Sequence, residues 1–451
     1  MKYLFVACLL CLSVLSAVAK VPAMNKIRLT NNWEYLKGDL GGIWEAVRPA
    51  APGSSEAVPI WQPVTLPHCF NAEDAVDPDV NYYEGPGWYK TLLAIDNPYR
   101  NGRIVLDFDG AGQKTDVYVY TTHVGSHVGG YDSWNVDITD AVKAFLGSKD
   151  AERFKGKVPL SIRCDNSRDL EMIPSDLADF NIYGGLYRYL NLVYLPEVSF
   201  EQIHLESSLS SNLKEGILKV KTSFYNPEDI RKADVTVSVY DVDRKPVFSK
   251  TLEGILPLGD QLLAEMKIKN PVLWDVDVPQ LYTCELTVKT PDQTFTTEER
   301  FGFRHTEFKD KGPFFLNGKR LLLRGTHRHE DHAGVAQAMT EDMMRREMRM
   351  MKDMGVNFIR LGHYQQSEII LDLCDELGIL VWEEIPWCRG GLGGDVYKKQ
   401  ARRMLANMIV QHHNHPAVII WGLGNENDWP NDFPEFEQRE IRSLMSELNT
   451  L

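Results

Sequence analysis

Short runs in which apolar and polar residues alternate, broken by Gly, Pro, Asn and Asp, fill the chain from about residue 26 to 195. Residues 102–108, 115–120 and 158–163 are examples. A period of two puts one face of each run on a core, so several short strands with turn residues between them predict a β-sandwich. A second β block covers 196–304, with clear alternation at 216–224, 233–240 and 281–290. Its length suits one immunoglobulin-like sandwich of ~100 residues. After Arg304 the rhythm changes. Strands are predicted at 320–324, 356–360, 379–382 and 417–423, and helices at 341–354, 367–377, 397–412 and 435–448. Alternating βα units with apolar strands mean a parallel sheet covered by helices. Four units at this spacing fit the first half of a (β/α)8 TIM barrel. A doubly wound sheet would usually carry a Gly-rich phosphate loop after its first strand, and none stands there.

The chain opens Met1-Lys2, runs apolar to Val18 and presents Ala17-Val18-Ala19. A charged start, a short apolar run and a small-x-small site predict a secretory signal over 1–19, cleaved after Ala19, and a secreted or periplasmic protein. The run is too short to span a bilayer comfortably, so no membrane association is expected. The chain is therefore read as multidomain: signal 1–19, first sandwich 20–195, immunoglobulin-like sandwich 196–304, and the N-terminal half of a barrel over 305–451. A half barrel leaves two open parallel edges and an unfilled interior. A fragment or truncated product is the expectation for a chain ending just past the fourth helix. A net charge of −14 argues against nucleic acid, whose phosphates call for a basic surface. Cys69, Cys164, Cys284, Cys374 and Cys388 are scattered singly, without a disulfide framework, and read as buried small side chains.

In a barrel of this kind chemistry gathers at the C-terminal ends of the strands. The first delivers His327, His329, Glu330, Asp331 and His332. His363 and Tyr364 follow the second, Glu383 and Glu384 the third, and Asn425, Glu426, Asn427 and Asp428 the fourth. Glu426 follows a mostly apolar strand. A carboxyl walled by apolar groups favours its neutral form, which suits a proton donor; a solvated Glu after a strand is the plainer alternative. Met344, Met348 and Met351 fall at helical spacing and read as core. His412, His413 and His415 sit at a helix end before Pro416, where His suits the helix dipole. The acidic run 435–440 reads as a solvated helix face.

Asn414-His415-Pro416, the strand after it and Gly424-Asn425-Glu426 resemble the acid/base signature of glycoside hydrolase family 2, which includes β-galactosidases, β-glucuronidases and β-mannosidases. Phe301-Gly302-Phe303-Arg304, Leu316-Asn317-Gly318-Lys319 and Leu323-Arg324-Gly325 look like that family's approach to its barrel. Arg360 with His363-Tyr364, and Asp375-Glu376-Leu377-Gly378, match further segments. Upstream, Leu66-Pro67-His68, Gly87-Trp88-Tyr89, Gly129-Gly130-Tyr131 and the run from Asp179 to Arg188 look like its jelly-roll, galactose-binding-like sandwich. Leu273-Trp274, Pro279 and Leu281-Tyr282 look like the end of its immunoglobulin-like domain.

The resemblance implies a retaining exo-β-glycosidase acting on an oligosaccharide or other glycoside. Glu426 would be its general acid/base and Asn425 a contact to sugar hydroxyls. His329, His363 and Asp179 would line the substrate site. No metal and no cofactor carry over, because Glu384-Ile385-Pro386-Trp387 does not match the magnesium ligands of the best-known β-galactosidases. Gly362 and Gln365 depart from residues that are often Ser and Pro. The family's nucleophile is a Glu on a later strand, beyond Leu451, so this chain alone is expected to be inactive. With no clear basic cluster for a uronate, a neutral sugar of the β-galactoside kind is expected. Two other readings stand beside this one. His327-x-His329, with His332, also resembles the metal site of amidohydrolases. The sandwiches could equally persist as a carbohydrate-binding protein with a vestigial half barrel.

Overall fold

The structure, a computed structural model, describes residues 25–49, 59–175, 178–389, 392–427 and 435–450. The apolar leader with its cleavage site, and Asp428, lie outside these residues. In the first domain a four-stranded sheet faces a six-stranded one. The four-stranded sheet runs Asn25–Arg28, Leu190–Leu195, Arg103–Phe108, Trp134–Asp137. The larger sheet centres on Pro86–Leu93, Val158–Asp165 and Lys114–Val119. Alternation decides the faces: Val117 and Val119 are fully buried, while Asp116 and Tyr118 are only partly covered. Trp33, Tyr89, Leu106, Phe108, Leu160 and Ile162 fill the space between the sheets. Each such side chain contributes roughly 1.5–3 kcal/mol on leaving water. The second domain packs a three-stranded sheet on a four-stranded one, and Ala233–Tyr240 alternates buried and half-buried without a break.

Beyond a small antiparallel hairpin sheet comes a four-stranded parallel sheet. Its strands are β1 (Gly325–Arg328), β2 (Phe358–Leu361), β3 (Leu380–Glu384) and β4 (Val418–Gly422), hydrogen-bonded in that order. Helices α1 (Glu341–Asp353), α2 (Glu368–Leu377), α3 (Asp395–His412) and α4 (Glu435–Leu448) follow them in turn. Met344 and Met348 of α1 are buried against this sheet. The five cysteines from Cys69 to Cys388 are free and buried.

The first barrel strand corrects the expectation at 320–324. Residues 321–324 are irregular, because the buried Asn357 takes their backbone groups. Its Oδ1 accepts from Arg324 N at 2.7 Å and its Nδ2 donates to Leu322 O at 3.0 Å. The parallel ladder starts only beyond that clamp, so His327 lies within β1 rather than after it.

Two domains meet at the N-terminal ends of the strands. Asp375, near the end of α2, accepts from His415 Nδ1 at 2.7 Å and Ala417 N at 2.9 Å, while its carbonyl accepts from Trp274 Nε1 at 2.9 Å. Asn414 bridges to the second domain, donating to Ile203 O at 2.7 Å and accepting from Leu205 N at 2.9 Å. The guanidinium of Arg304 donates to the carbonyls of Pro416 and Val418. Gly378 ends α2 in the left-handed region at φ 68°, where a Cβ would stand 2.4 Å from Val276 O. The Asn-His-Pro run is thus a joint between domains. His412 and His413 do stand at the end of α3, and His412 is in addition bonded to Glu383 at 2.7 Å.

On the opposite side the first domain docks through a buried ion pair. Arg188 donates to Glu330 at 2.7 and 3.1 Å, and to the carbonyls of Tyr131 and Gln365 at 2.7 Å. Glu330 also accepts from Ser367 N at 2.8 Å, and Tyr131 stacks on Tyr364 at 4.4 Å between ring centres. A second contact caps α3. Gly394, at its start, offers no side chain. Glu171 of the first domain accepts there from Gly394 N at 2.7 Å and Tyr397 N at 3.0 Å.

Candidate active site

Successive residues of a strand point to opposite faces, and β3 uses this to split two carboxylates. Glu383 turns toward the helices, bonded to His412 Nδ1 and, at 3.2 Å, to Gln366 N. Glu384 turns the other way. Arg360 of β2 grips it from two nitrogens at 2.9 and 3.0 Å, and His363 Nδ1 meets it at 2.6 Å. Both carboxylates are fully buried. Arg360 also donates to Asn425 Oδ1 at 2.9 Å, so β2, β3 and the loop after β4 are tied by one guanidinium. A planar fork of donors suits such multidentate bonding.

Three imidazoles gather beside this network. The ring centres of His327, His329 and His363 lie 4.8–5.3 Å from one another. Burial, with the neighbouring imidazoles of His327 and His363, depresses His329 to about 4. Burial first, then His363 and Arg360, also lowers His327. Both rings are therefore neutral near pH 7.

The first domain supplies the wall opposite. Phe180 leans over His329, His363 and Tyr364, with ring centres 5.8, 6.2 and 5.2 Å away. Asp179 is exposed and accepts a hydrogen bond from the Cys388 thiol at 3.0 Å. Cys388 in turn accepts from Asn425 Nδ2 at 3.4 Å. Burial and the Asp179 contact push this thiol up to about 12, so it stays protonated and donates. Asp179, Phe180, Asn181, His329 and Asp331 border an open hollow of about 480 Å³.

Glu426 has φ 52°, the left-handed region that few residues besides glycine adopt. Such strain costs of order 1–3 kcal/mol and clusters at functional sites. Its carboxyl is exposed, 37% accessible, with Arg389 Nε 3.8 Å away. Among the described residues the expected apolar walls do not enclose it, because the chain leaves β4 at Gly422 and Glu426 stands on the loop beyond the strand.

Of the residues singled out from sequence, the structure brings His329, His363, Asp179 and Asn425 to one rim, with Glu426 next to Asn425. His327 joins them. His332 does not; its ring bonds Ala333 O at 3.0 Å instead. Sequence reading passed over Phe180 and Cys388 as site residues. Phe180 lies inside the run from Asp179 to Arg188 that carried the resemblance, but nothing singled it out within that run. Cys388, four residues past Glu384 on the loop after β3, carried a positional signal that its reading as core obscured.

Three family models match the chain. They are the sugar binding domain of glycosyl hydrolases family 2 over residues 40–196, the glycosyl hydrolases family 2 model over 198–304, and that family's TIM barrel domain over 307–446. The crystal structure of Parabacteroides merdae β-glucuronidase superposes with a TM-score of 0.93 at 97% identity, covering 94% of this chain and 55% of that one. A β-glucuronidase of Bacteroides fragilis is 32% identical over 400 residues, 84% of this chain and 56% of that protein. A β-galactosidase of Thermoanaerobacter pseudethanolicus is 28% identical over 420 residues, 91% of this chain and 53% of that protein. The chain spans about half the length of the curated relatives it matches.

Proposed function

The chain belongs to glycoside hydrolase family 2, and from that premise we propose that its barrel rim is part of the active site of a retaining exo-β-glycosidase whose substrate is a β-glucuronide. The observation that carries the reaction type is the convergence of Asp179, His329, His363 and Asn425 beside a strained Glu426. In the retaining mechanism one carboxyl attacks the anomeric carbon while the other protonates the leaving oxygen and later activates water. Glu426 takes the second role. It is exposed to an incoming glycoside, with Arg389 Nε 3.8 Å away. Asn425, held by Arg360, binds sugar hydroxyls. His329 and His363 line the same subsite, and Asp179 closes it from the first domain. Support for a uronide rather than the neutral sugar expected from sequence is the Parabacteroides merdae β-glucuronidase at 97% identity. The β-galactosidase of Thermoanaerobacter pseudethanolicus stands much further away.

Neither carboxylate of β3 offers the nucleophile. Glu383 and Glu384 are buried and bonded to His412, Arg360 and His363, and neither is free to attack. Residues 20–451 alone therefore bind without turnover. Robust release of p-nitrophenol from an aryl β-glucuronide by that polypeptide would reject this. In a full-length protein carrying these residues, Glu426→Gln lowers turnover about 10²–10⁴-fold. Unchanged turnover would remove Glu426 from the role, and a preference for β-galactosides over β-glucuronides would overturn the substrate. The leader acts as an export signal, giving a mature N-terminus at Lys20 that mass spectrometry reads directly; a secreted product still starting at Met1 would refute it. The metal-hydrolase alternative accounts for the histidine cluster but leaves Asn425, Glu426 and both β domains without a role.

A further inference from the structure

The cluster of His327, His329 and His363 is more than a sugar subsite needs to be. Each of the three can offer one ring nitrogen within 4.8 Å of the other two. Among the described residues, no hydrogen bond engages a ring nitrogen of His327 or His329. His363 is already arranged as a metal-binding histidine would be. Its Nδ1 faces the Glu384 carboxylate, which accepts only, so the proton sits on Nδ1 and the lone pair on Nε2 is left to offer. Arg360 neutralises Glu384, leaving the Asp179 carboxylate as the local anion facing the imidazoles. Asp179, His363 and Cys388 form a second trio within the same 4.8 Å.

Gly362 makes room for this arrangement. A Cβ there would lie 2.2 Å from His327 Nε2. Any side chain at 362 would therefore have to push the His327 ring aside. The glycine that departs from the family pattern and the histidine on β1 form a matched pair.

We propose that His327, His329 and His363 bind one borderline divalent transition-metal ion, zinc foremost; the Asp179 carboxylate, which lies within 4.8 Å of His363 but outside the cluster of three rings, moves in as the anionic fourth ligand. Imidazoles and a carboxylate suit this class of ion, whereas Ca²⁺ and Mg²⁺ call for oxygen ligands. Ligands at 2.0–2.1 Å around a tetrahedral ion stand about 3.4 Å apart. The nitrogens must close by about an ångström, which calls for small movements of all three rings, of which His327 is the exposed one. Metal binding does not depend on the glycosidase reading. Its corollary does: if the same groups hold a sugar, ion and glycoside exclude one another.

The test uses the purified chain, stripped with EDTA, dialysed and titrated with Zn²⁺ by calorimetry, with Co²⁺ absorption as the reporter of coordination. One equivalent is expected, with the intense visible band of four-coordinate cobalt. His327→Ala and His329→Ala each weaken binding about 10–100-fold, the scale on which ligand-shell changes act. Gly362→Ser, which leaves all three histidines in place but displaces one ring, weakens it comparably. His332→Ala leaves it unchanged. Thermal melts of the metal-free variants establish that each is folded. Absence of a bound equivalent, binding unaffected by both His327→Ala and Gly362→Ser, or loss of binding in His332→Ala would each overturn the assignment.

Discussion

The two ends of the parallel sheet use the same chemistry to opposite effect. At the N-terminal end, His415 and Asp375 form a pair; Asp375 also accepts from Ala417 N and from Trp274 of the second domain, and the neighbouring Asn414 reaches that domain as well. At the C-terminal end, His327 and His329 stand partly exposed with no described hydrogen bond on their rings, and Glu426 reaches solvent. Histidine and carboxylate are cement where they bond each other and the neighbouring backbone, and line an open rim where ring nitrogens are left over. Burial alone does not separate the cases. Glu384 is as buried as any group in the joint, yet it serves the open end by fixing Arg360 and His363.

This contrast can be broken most severely at the closed end. Asp375→Ala strands the His415 ring and the Ala417 amide in the interior. Stranding a buried charge costs about 3–5 kcal/mol. Urea unfolding measures it, and a loss below about 1 kcal/mol would deny the joint its structural role. The next effect is one of sign. Burial opposes the charged form of His415, but Asp375 outweighs it and raises the ring to about 9. That contribution is complete below the ordinary value of 6.5 and fades as pH rises through 9. His329, depressed to about 4, behaves in reverse: its contribution is present above 6.5 and is lost as pH falls through 4. Stability curves of His415→Gln and His329→Gln should therefore flatten on the alkaline and the acid side respectively. Both flattening on one side would mean the two ends are not distinct. The smallest effect is expected at the open end near neutrality, where His329→Ala shifts stability by within about 0.5 kcal/mol.

The strand and helix order was legible because period-two and period-3.6 patterns are local. Alternation in residues 233–240 and the methionine spacing in α1 were enough. The first barrel strand was not legible, because Leu321 to Leu323 look like a strand. The residue that denies them the ladder, Asn357, lies on the far side of α1. The rim positions of His329, His363 and Asn425 followed from strand ends. Glu426 was read as walled by apolar groups, whereas among the described residues it is exposed, since sequence does not show how far a loop carries a residue from its strand. Asp179 reached the site only through resemblance. Its contact with Cys388, between residues 209 positions apart, belongs to domain packing and leaves no periodic trace.

The cap on α3 has a consequence for the order of events at the ribosome. Glu171 lies 223 residues before Gly394, whose amide it accepts. Domains generally fold as units, N-terminal first during synthesis. The carboxylate is therefore already mounted on a finished sandwich when the amides of Gly394 and Tyr397 emerge, and the helix starts against a template. A barrel segment made without its leading domain begins α3 at a glycine with nothing to accept those amides.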